Sequence, residues 1–259
     1  GLAPNDFEAA LQDNTKVIYI ETPSNPLLTI TDLKAVGTMA KKAGIVSMID
    51  NTFASPVNQN PADFGIDVII HSATKYMGGH SDICAGAVAA SQAHIDQVFR
   101  LAKNFGGSLS DYTVWLLERS IKTMGIRVKA QNENAMKMAT YLEEHPEVSK
   151  VYYPGLKSHP DHALAAAQMS GFGGMLSFEL KEGLDASAFQ KALQLIKPSM
   201  SLAGIESTLL SPTLTSHALL SPEERKYQGI ADGLIRFSVG IEEVAALQSD
   251  IDQAIKSLL

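Results

Sequence analysis

The sequence predicts an α/β protein: a mostly parallel sheet followed by a smaller C-terminal α/β unit. Three observations lead there. Short β-branched runs alternate with amphipathic segments through the first half, the pattern of parallel strands joined by helical crossovers. Two of those runs, Ile45–Asp50 and Val68–Ile70, lead into polar turns that carry Asp50 and Lys75. From Glu147 onward strands and helices alternate again, on a smaller scale.

In chain order, Asn5–Asp13 reads as a helix capped by Asn5 or Asp6, and Lys16–Glu21 as a short buried strand. Thr22-Pro23-Ser24-Asn25-Pro26 is a rigid loop. Ile30–Ala43 is a helix with Leu33, Val36 and Ala40 inward, closed by Gly44. After the Asp50 and Lys75 strands comes a strand of small residues, Ala85–Ala90. Ser91–Phe105 and Asp111–His145 are helical, the second interrupted near Gly125. Strands at Val148–Tyr153, Gly174–Leu180 and Leu234–Val239 follow, with helices at Ala163–Met169, Ala186–Ile196 and Val244–Leu258. The division is expected inside the long helix, giving units 1–126 and 127–259. Met136, Met138, Tyr141 and Leu142 read as helix-packing residues.

Composition narrows the function. The 259 residues are 45% hydrophobic and 19% charged, an ordinary globular balance. A net charge of −7 argues against nucleic acid or an anionic membrane as partner. No apolar run approaches the ~18 residues that cross a bilayer. A single cysteine, Cys84, excludes an internal disulfide framework and fits a reducing cytoplasm; it reads as a small buried hydrophobe. His80 and His217 read as structural histidines, and no metal-ligand spacing is present.

The chemistry centres on Ser72-Ala73-Thr74-Lys75-Tyr76-Met77-Gly78-Gly79. A lysine delivered from a strand end into a poorly hydrated turn becomes a usable nucleophile for an aldehyde, which suits a Schiff base with pyridoxal phosphate (PLP). Asp50, 25 residues earlier, ends another strand. PLP needs a carboxylate beside its ring nitrogen, and strand ends of a parallel sheet are where such groups meet. Arg236 stands within an apolar strand, where a guanidinium needs an anion, from a structural ion pair or from a ligand. Arg100, Arg119 and Arg127, on helical segments, read as surface or inter-subunit residues.

Seven segments carry a resemblance that spans nearly the whole chain. They are E-T-P-S-N-P (Glu21–Pro26), D-N-T-F (Asp50–Phe53), H-S-A-T-K-Y-M-G-G-H-S-D (His71–Asp82) and V-Y-Y-P-G-L (Val151–Leu156). G-F-G-G-M-L-S-F (Gly171–Phe178), S-L-A-G-I-E-S (Ser201–Ser207) and G-L-I-R-F-S-V-G-I-E (Gly233–Glu242) complete the set. The chain resembles the PLP-dependent enzymes of cysteine and methionine metabolism: cystathionine γ-synthase, cystathionine β- and γ-lyases, and methionine γ-lyase.

The resemblance implies the aspartate-aminotransferase-like fold, type I of the PLP-dependent transferases, with PLP as cofactor and a sulfur amino acid as substrate. It implies Lys75 as Schiff-base lysine and proton carrier, Asp50 on the ring nitrogen, Ser72 and Thr74 on the phosphate or ring oxygen, and Asn25 near the ring hydroxyl. It places Arg236 and Ser201 on the substrate α-carboxylate. Met200 stands where members acting on cystathionine at Cγ often carry a glutamate, so a less polar distal pocket is expected. The expected activity is C–S lyase, with γ-replacement on an O-acylhomoserine second and a non-catalytic relic of the fold as the rival of another class. The resemblance also implies a homotetramer built from active-site dimers, and the single cysteine leads to a cytoplasmic location as the expectation. The chain opens Gly-Leu-Ala-Pro without an initiator methionine. Family members carry a preceding segment with a phosphate-binding glycine loop and a ring-stacking aromatic, and such a segment is expected here too.

Overall fold

The computed structural model describes residues 4–215 and 218–259, so His217 lies outside the described residues. The first half is a four-stranded sheet in the order β1 (Val17–Glu21), β2 (Val46–Asp50), β3 (Val68–Ser72), β4 (Gly86–Ala90). β1, β2 and β3 run parallel as expected, while β4 returns antiparallel along β3. The helices of this half are α1 (Pro4–Ala10), α2 (Leu33–Ala43), α3 (Ser55–Asn58), α4 (Gln92–Phe105), α5 (Asp111–Ile121) and α6 (Met124–Glu144).

Local chemistry explains the boundaries. α2 begins three residues later than expected because Asp32 caps it, its carboxylate accepting the Ala35 N–H at 2.9 Å. It ends at Gly44, whose φ of +66° suits a residue without Cβ. Leu33, Val36 and Ala40 point from it into a core with Ile18, Ile20, Ile49 and Ile69. The long helix breaks at Lys122–Thr123, where the Thr123 hydroxyl turns back onto the Ser120 carbonyl, and Gly125 sits harmlessly in the first turn of α6.

The second half holds a five-stranded sheet, with β5 (Val148–Tyr152), β6 (Met175–Leu180), β7 (Lys197–Pro198), β8 (Thr208–Leu210) and β9 (Leu234–Ser238) in the order β5-β6-β9-β8-β7. Its pairings are antiparallel except β7 with β8. Helices α7 (His162–Gln168), α8 (Ala186–Ala192), α9 (Pro222–Tyr227) and α10 (Val244–Lys256) accompany it. α8 stops four residues short of the expected Ile196. The buried carboxylate of Asp250 takes the N–H groups of Gln194, Leu195 and Ile196 out of the helix pattern. Met138, Leu142, Phe178, Phe189, Phe237, Leu247 and Ile251 form the second core.

A third, smaller cluster joins the two sheets. Leu28, Phe53, Tyr76, Leu202 and Ala203 come from loops, Val128 from α6 and Met175 from the start of β6. Loops from both halves therefore meet on one packed floor.

Candidate active site

β1, β2 and β3 all end on the same side of the first sheet. Parallel register sets Glu21 opposite Asp50, and Asp50 opposite Ile70. The Asp50 Oδ1 accepts the Thr52 N–H at 2.9 Å, which holds the carboxylate at the strand end. Beside it, the Glu21 carboxyl is pushed up to about 7 by desolvation first and the like charge of Asp50 second, against the Asn25 N–H that bonds it.

β3 delivers Lys75 through a tight turn. The Lys75 N–H bonds the Ser72 carbonyl at 3.1 Å, the Gly78 N–H the Ala73 carbonyl at 2.8 Å, and the Gly79 N–H the Lys75 carbonyl at 2.6 Å. Ala73 and Tyr76 are buried on either side of the lysine, and the Tyr76 hydroxyl accepts the Gly174 N–H at 2.8 Å. The turn is thus pinned at both flanks while the half-buried Lys75 points elsewhere. Among the described residues, no partner bonds its ammonium. Its pKa is lowered, by desolvation first and by the charge of Arg236 second, with Cys84 opposing.

The other predicted residues fall around this turn. The Ser72 N–H donates to Thr52 Oγ1 at 2.8 Å. The Thr74 hydroxyl is occupied locally: it donates to the Ala85 carbonyl at 3.2 Å and accepts the Ala85 N–H at 2.9 Å, closing the loop between β3 and β4. Cys84, expected buried, is exposed in that loop.

Arg236 arrives from β9, the middle strand of the second sheet. It is 4% exposed, and its pKa is pushed down to about 10 by desolvation. One Nη donates to the Met200 carbonyl at 3.0 Å and the other reaches Asn25 Oδ1 at 3.5 Å. Among the described residues no carboxylate pairs with it. Ser177, opposite Arg236 on β6, donates its hydroxyl to the Pro26 carbonyl at 2.7 Å and so fixes the loop that carries Asn25. Ser201 lies half-buried on the adjoining segment, its carbonyl bonded by the Thr208 hydroxyl at 3.0 Å. Met200 is 65% exposed, and its carbonyl accepts from Arg236.

Some residues matter more here than the sequence indicated. Arg127 is buried, 6% exposed, rather than on the surface. Its guanidinium donates to the carbonyls of Tyr76, Met77 and Ser120 at 2.9, 3.3 and 2.9 Å. Gln131 is fully buried one turn further on. Neither stands out in a helical pattern, since polar residues there are read as outward. His80 bonds the Gly78 carbonyl at 2.7 Å, a structural role.

The chain matches the family model described as Cys/Met metabolism PLP-dependent enzyme over residues 1–256. The chain belongs to that family. It is 46% identical over 254 residues to a cystathionine gamma-lyase of Bacillus subtilis, covering 98% of this chain and 67% of that protein. A cystathionine beta-lyase of Lactococcus lactis is 44% identical over 253 residues, covering 97% and 67%. The solved structure of a cystathionine gamma-lyase from Lactobacillus plantarum, complexed with L-serine, superposes with a TM-score of 0.95 at 43% identity, covering 97% of this chain and 66% of that one. The chain therefore spans about two thirds of the length of the relatives it matches. The fold is the α/β fold of those PLP-dependent lyases, the cofactor of the family is pyridoxal 5'-phosphate, and the named relatives are carbon–sulfur lyases.

Proposed function

We propose that this chain carries the reacting lysine, the ring-nitrogen acid and the carboxylate clamp of a PLP-dependent enzyme that cleaves a C–S bond in a sulfur amino acid such as cystathionine or methionine. The observation that carries the reading is Arg236: a buried guanidinium with no anion among the described residues, close enough to Lys75 to depress its pKa. A buried charge without a partner is costly, and a carboxylate-bearing ligand supplies the missing one.

The donor set fits the cofactor. Lys75 offers an amine that is easily deprotonated, and Asp50 a carboxylate with one oxygen free of protein bonds among the described residues. Ser72 and Asn25 would supply polar contacts to its phosphate and ring oxygens, and Thr74 would join them by turning its hydroxyl away from the Ala85 carbonyl. When bound, PLP supplies an electron sink for charge released at the substrate's Cα. Arg236, with Ser201, holds and orients the α-carboxylate. Lys75 removes the Cα proton and returns a proton beyond it, the C–S bond breaks, and sulfur leaves as a thiol. Hydrolysis of the remaining enamine gives a 2-oxo acid and ammonia. Met200 would border a distal pocket without a fixed charge.

We further propose units 1–126 and 127–259, in line with the two sheets that lie on either side of α6, and a cytoplasmic homotetramer. Support for assembly comes from apolar side chains exposed on α4 and α5, among them Phe99, Leu101, Tyr112 and Trp115. The single cysteine suits a reducing compartment.

The test is borohydride reduction of the PLP-loaded protein with peptide mapping, followed by turnover of cystathionine, methionine and O-acylhomoserines. Lys75 should carry the label, Lys75→Ala should lose label and turnover together, and a 2-oxo acid should appear from a thioether. A label on another lysine overturns the assignment, and cystathionine formed from the acylhomoserine and added cysteine, with release of the acyl group as its acid, replaces cleavage with γ-replacement.

A further inference from the structure

We propose that α6 sets Lys75 against Arg236, with Arg127 and Gln131 as its two positioning residues; this rests on the reading that Lys75 and Arg236 work on one substrate. The two residues are four apart, so they lie on one face of the helix a single turn from each other. Arg127 bonds the carbonyls of Tyr76 and Met77, the two residues after Lys75. Gln131 Nε2 bonds the Gly204 carbonyl at 2.7 Å and the Val239 carbonyl at 3.3 Å. Gly204 follows Ser201 on the substrate-side segment, and Val239 ends the run that carries Arg236. A single helical face therefore holds the lysine turn with one side chain and the carboxylate clamp with the next. The two held segments also touch directly, the Ile205 N–H bonding the Gly79 carbonyl at 3.0 Å.

The chemistry of the row indicates positioning rather than filling. Arg127 is a buried cation with no carboxylate among the described residues; its Nη groups are spent on main-chain carbonyls and its Nε on the Thr123 hydroxyl at 3.2 Å. An apolar side chain would fill that volume at lower desolvation cost, whereas a rigid fork fixes several carbonyls at once. The turn is shaped around it. Gly79 has φ +70°, and a Cβ there would lie 1.9 Å from an Arg127 Nη, so only glycine admits the guanidinium. Gln131 spends its amide N–H groups on both parts of the clamp while its Oε1 has no partner among the described residues, a cost accepted for that geometry.

The experiment uses the PLP-loaded protein and the variants Arg127→Lys, Gly79→Ala and Gln131→Leu. Two readouts besides turnover are the pH midpoint of the absorbance of Lys75-bound cofactor and the affinity for glycine from its spectral titration. Arg127→Lys and Gly79→Ala should each move the midpoint upward by roughly half a pH unit or more, as the lysine turn drifts from the Arg236 charge. Since both break one contact, the double variant should shift no further than either single one. Gln131→Leu should leave the midpoint in place and weaken glycine binding about tenfold or more, the scale of a small misplacement. Unmoved readouts in all three, simple addition in the double variant, or failure of all three to fold would overturn the positioning role. Borohydride labelling of the wild type separates this from the functional reading: a label away from Lys75 defeats that reading, whereas a label on Lys75 with unmoved readouts defeats only this inference.

Discussion

Replacing Arg236 by methionine separates a ligand-binding arginine from a structural one. Burial pushes the guanidinium down from its ordinary value to about 10. A depression of that size corresponds to about 3 kcal/mol against the charged form. The residue is 4% exposed, so solvent screens little of it. Against that stands the charge-assisted bond to the Met200 carbonyl, about 1.5–3 kcal/mol. Because Met200 is exposed, its freed carbonyl can turn to water. The net expectation for Arg236→Met is a protein between unchanged and about 1.5 kcal/mol more stable, seen as a higher urea midpoint at constant slope. Function should move the other way. Glycine at about 100 times its dissociation constant should stabilise the wild-type PLP protein by about 2.7 kcal/mol and leave the variant unmoved. A variant that loses more than about 2 kcal/mol and still responds to glycine would refute the reasoning, since such a loss is what breaking an internal ion pair produces.

Two further substitutions test the neighbourhood. In the folded protein Glu21 titrates near 7, above its unfolded value of 4.5, so its contribution is whole below 4.5 and lost as pH rises through about 7. Glu21→Gln should therefore stabilise the protein at about pH 8.5 but not at about pH 5, by no more than about 1 kcal/mol because the side chain is exposed; a difference independent of pH would sink the idea. Met200→Glu should raise the ratio of kcat/KM for cystathionine over methionine by up to roughly fivefold, the size of an exposed ion pair, and an unmoved ratio would put the distal pocket elsewhere.

What was legible in the sequence was local. β-branched runs closed by Asp50 or by the Ser72–Lys75 turn announce strand ends, and parallel pairing puts such ends on one side. Gly44 announced the end of α2 for the same reason, one residue type with one conformational use. Features decided at long range were hidden. The early end of α8 depends on Asp250, more than fifty residues away. β7 is two residues long, too short for any periodicity, and exists because β8 pairs with it. Cys84 was expected inside, since small apolar-like residues usually are, but it precedes the edge strand β4 in a loop with no cover among the described residues.

The site itself shows where local reading stops. Lys75 and Arg236 could each be named from their strands, because a cation at the end of or inside an apolar run has few explanations. Their relation could not, for Lys75 follows a strand of one sheet and Arg236 stands in the other, 161 positions apart, and nothing in either strand fixes the distance between them. That distance is held by a third element whose pattern looks ordinary. In α6 the apolar stripe Val128, Ala135, Met138, Ala139 and Leu142 accounts for the packing, which leaves Arg127 and Gln131 looking like solvated positions. Their carbonyl partners belong to segments 50 to 108 residues away in sequence, so no window on the helix contains the reason for them. A hydrophobic pattern ranks side chains by their preference for water. The parts of this site that set geometry are polar groups buried against that preference, and only the folded chain supplies the carbonyls that hold them there.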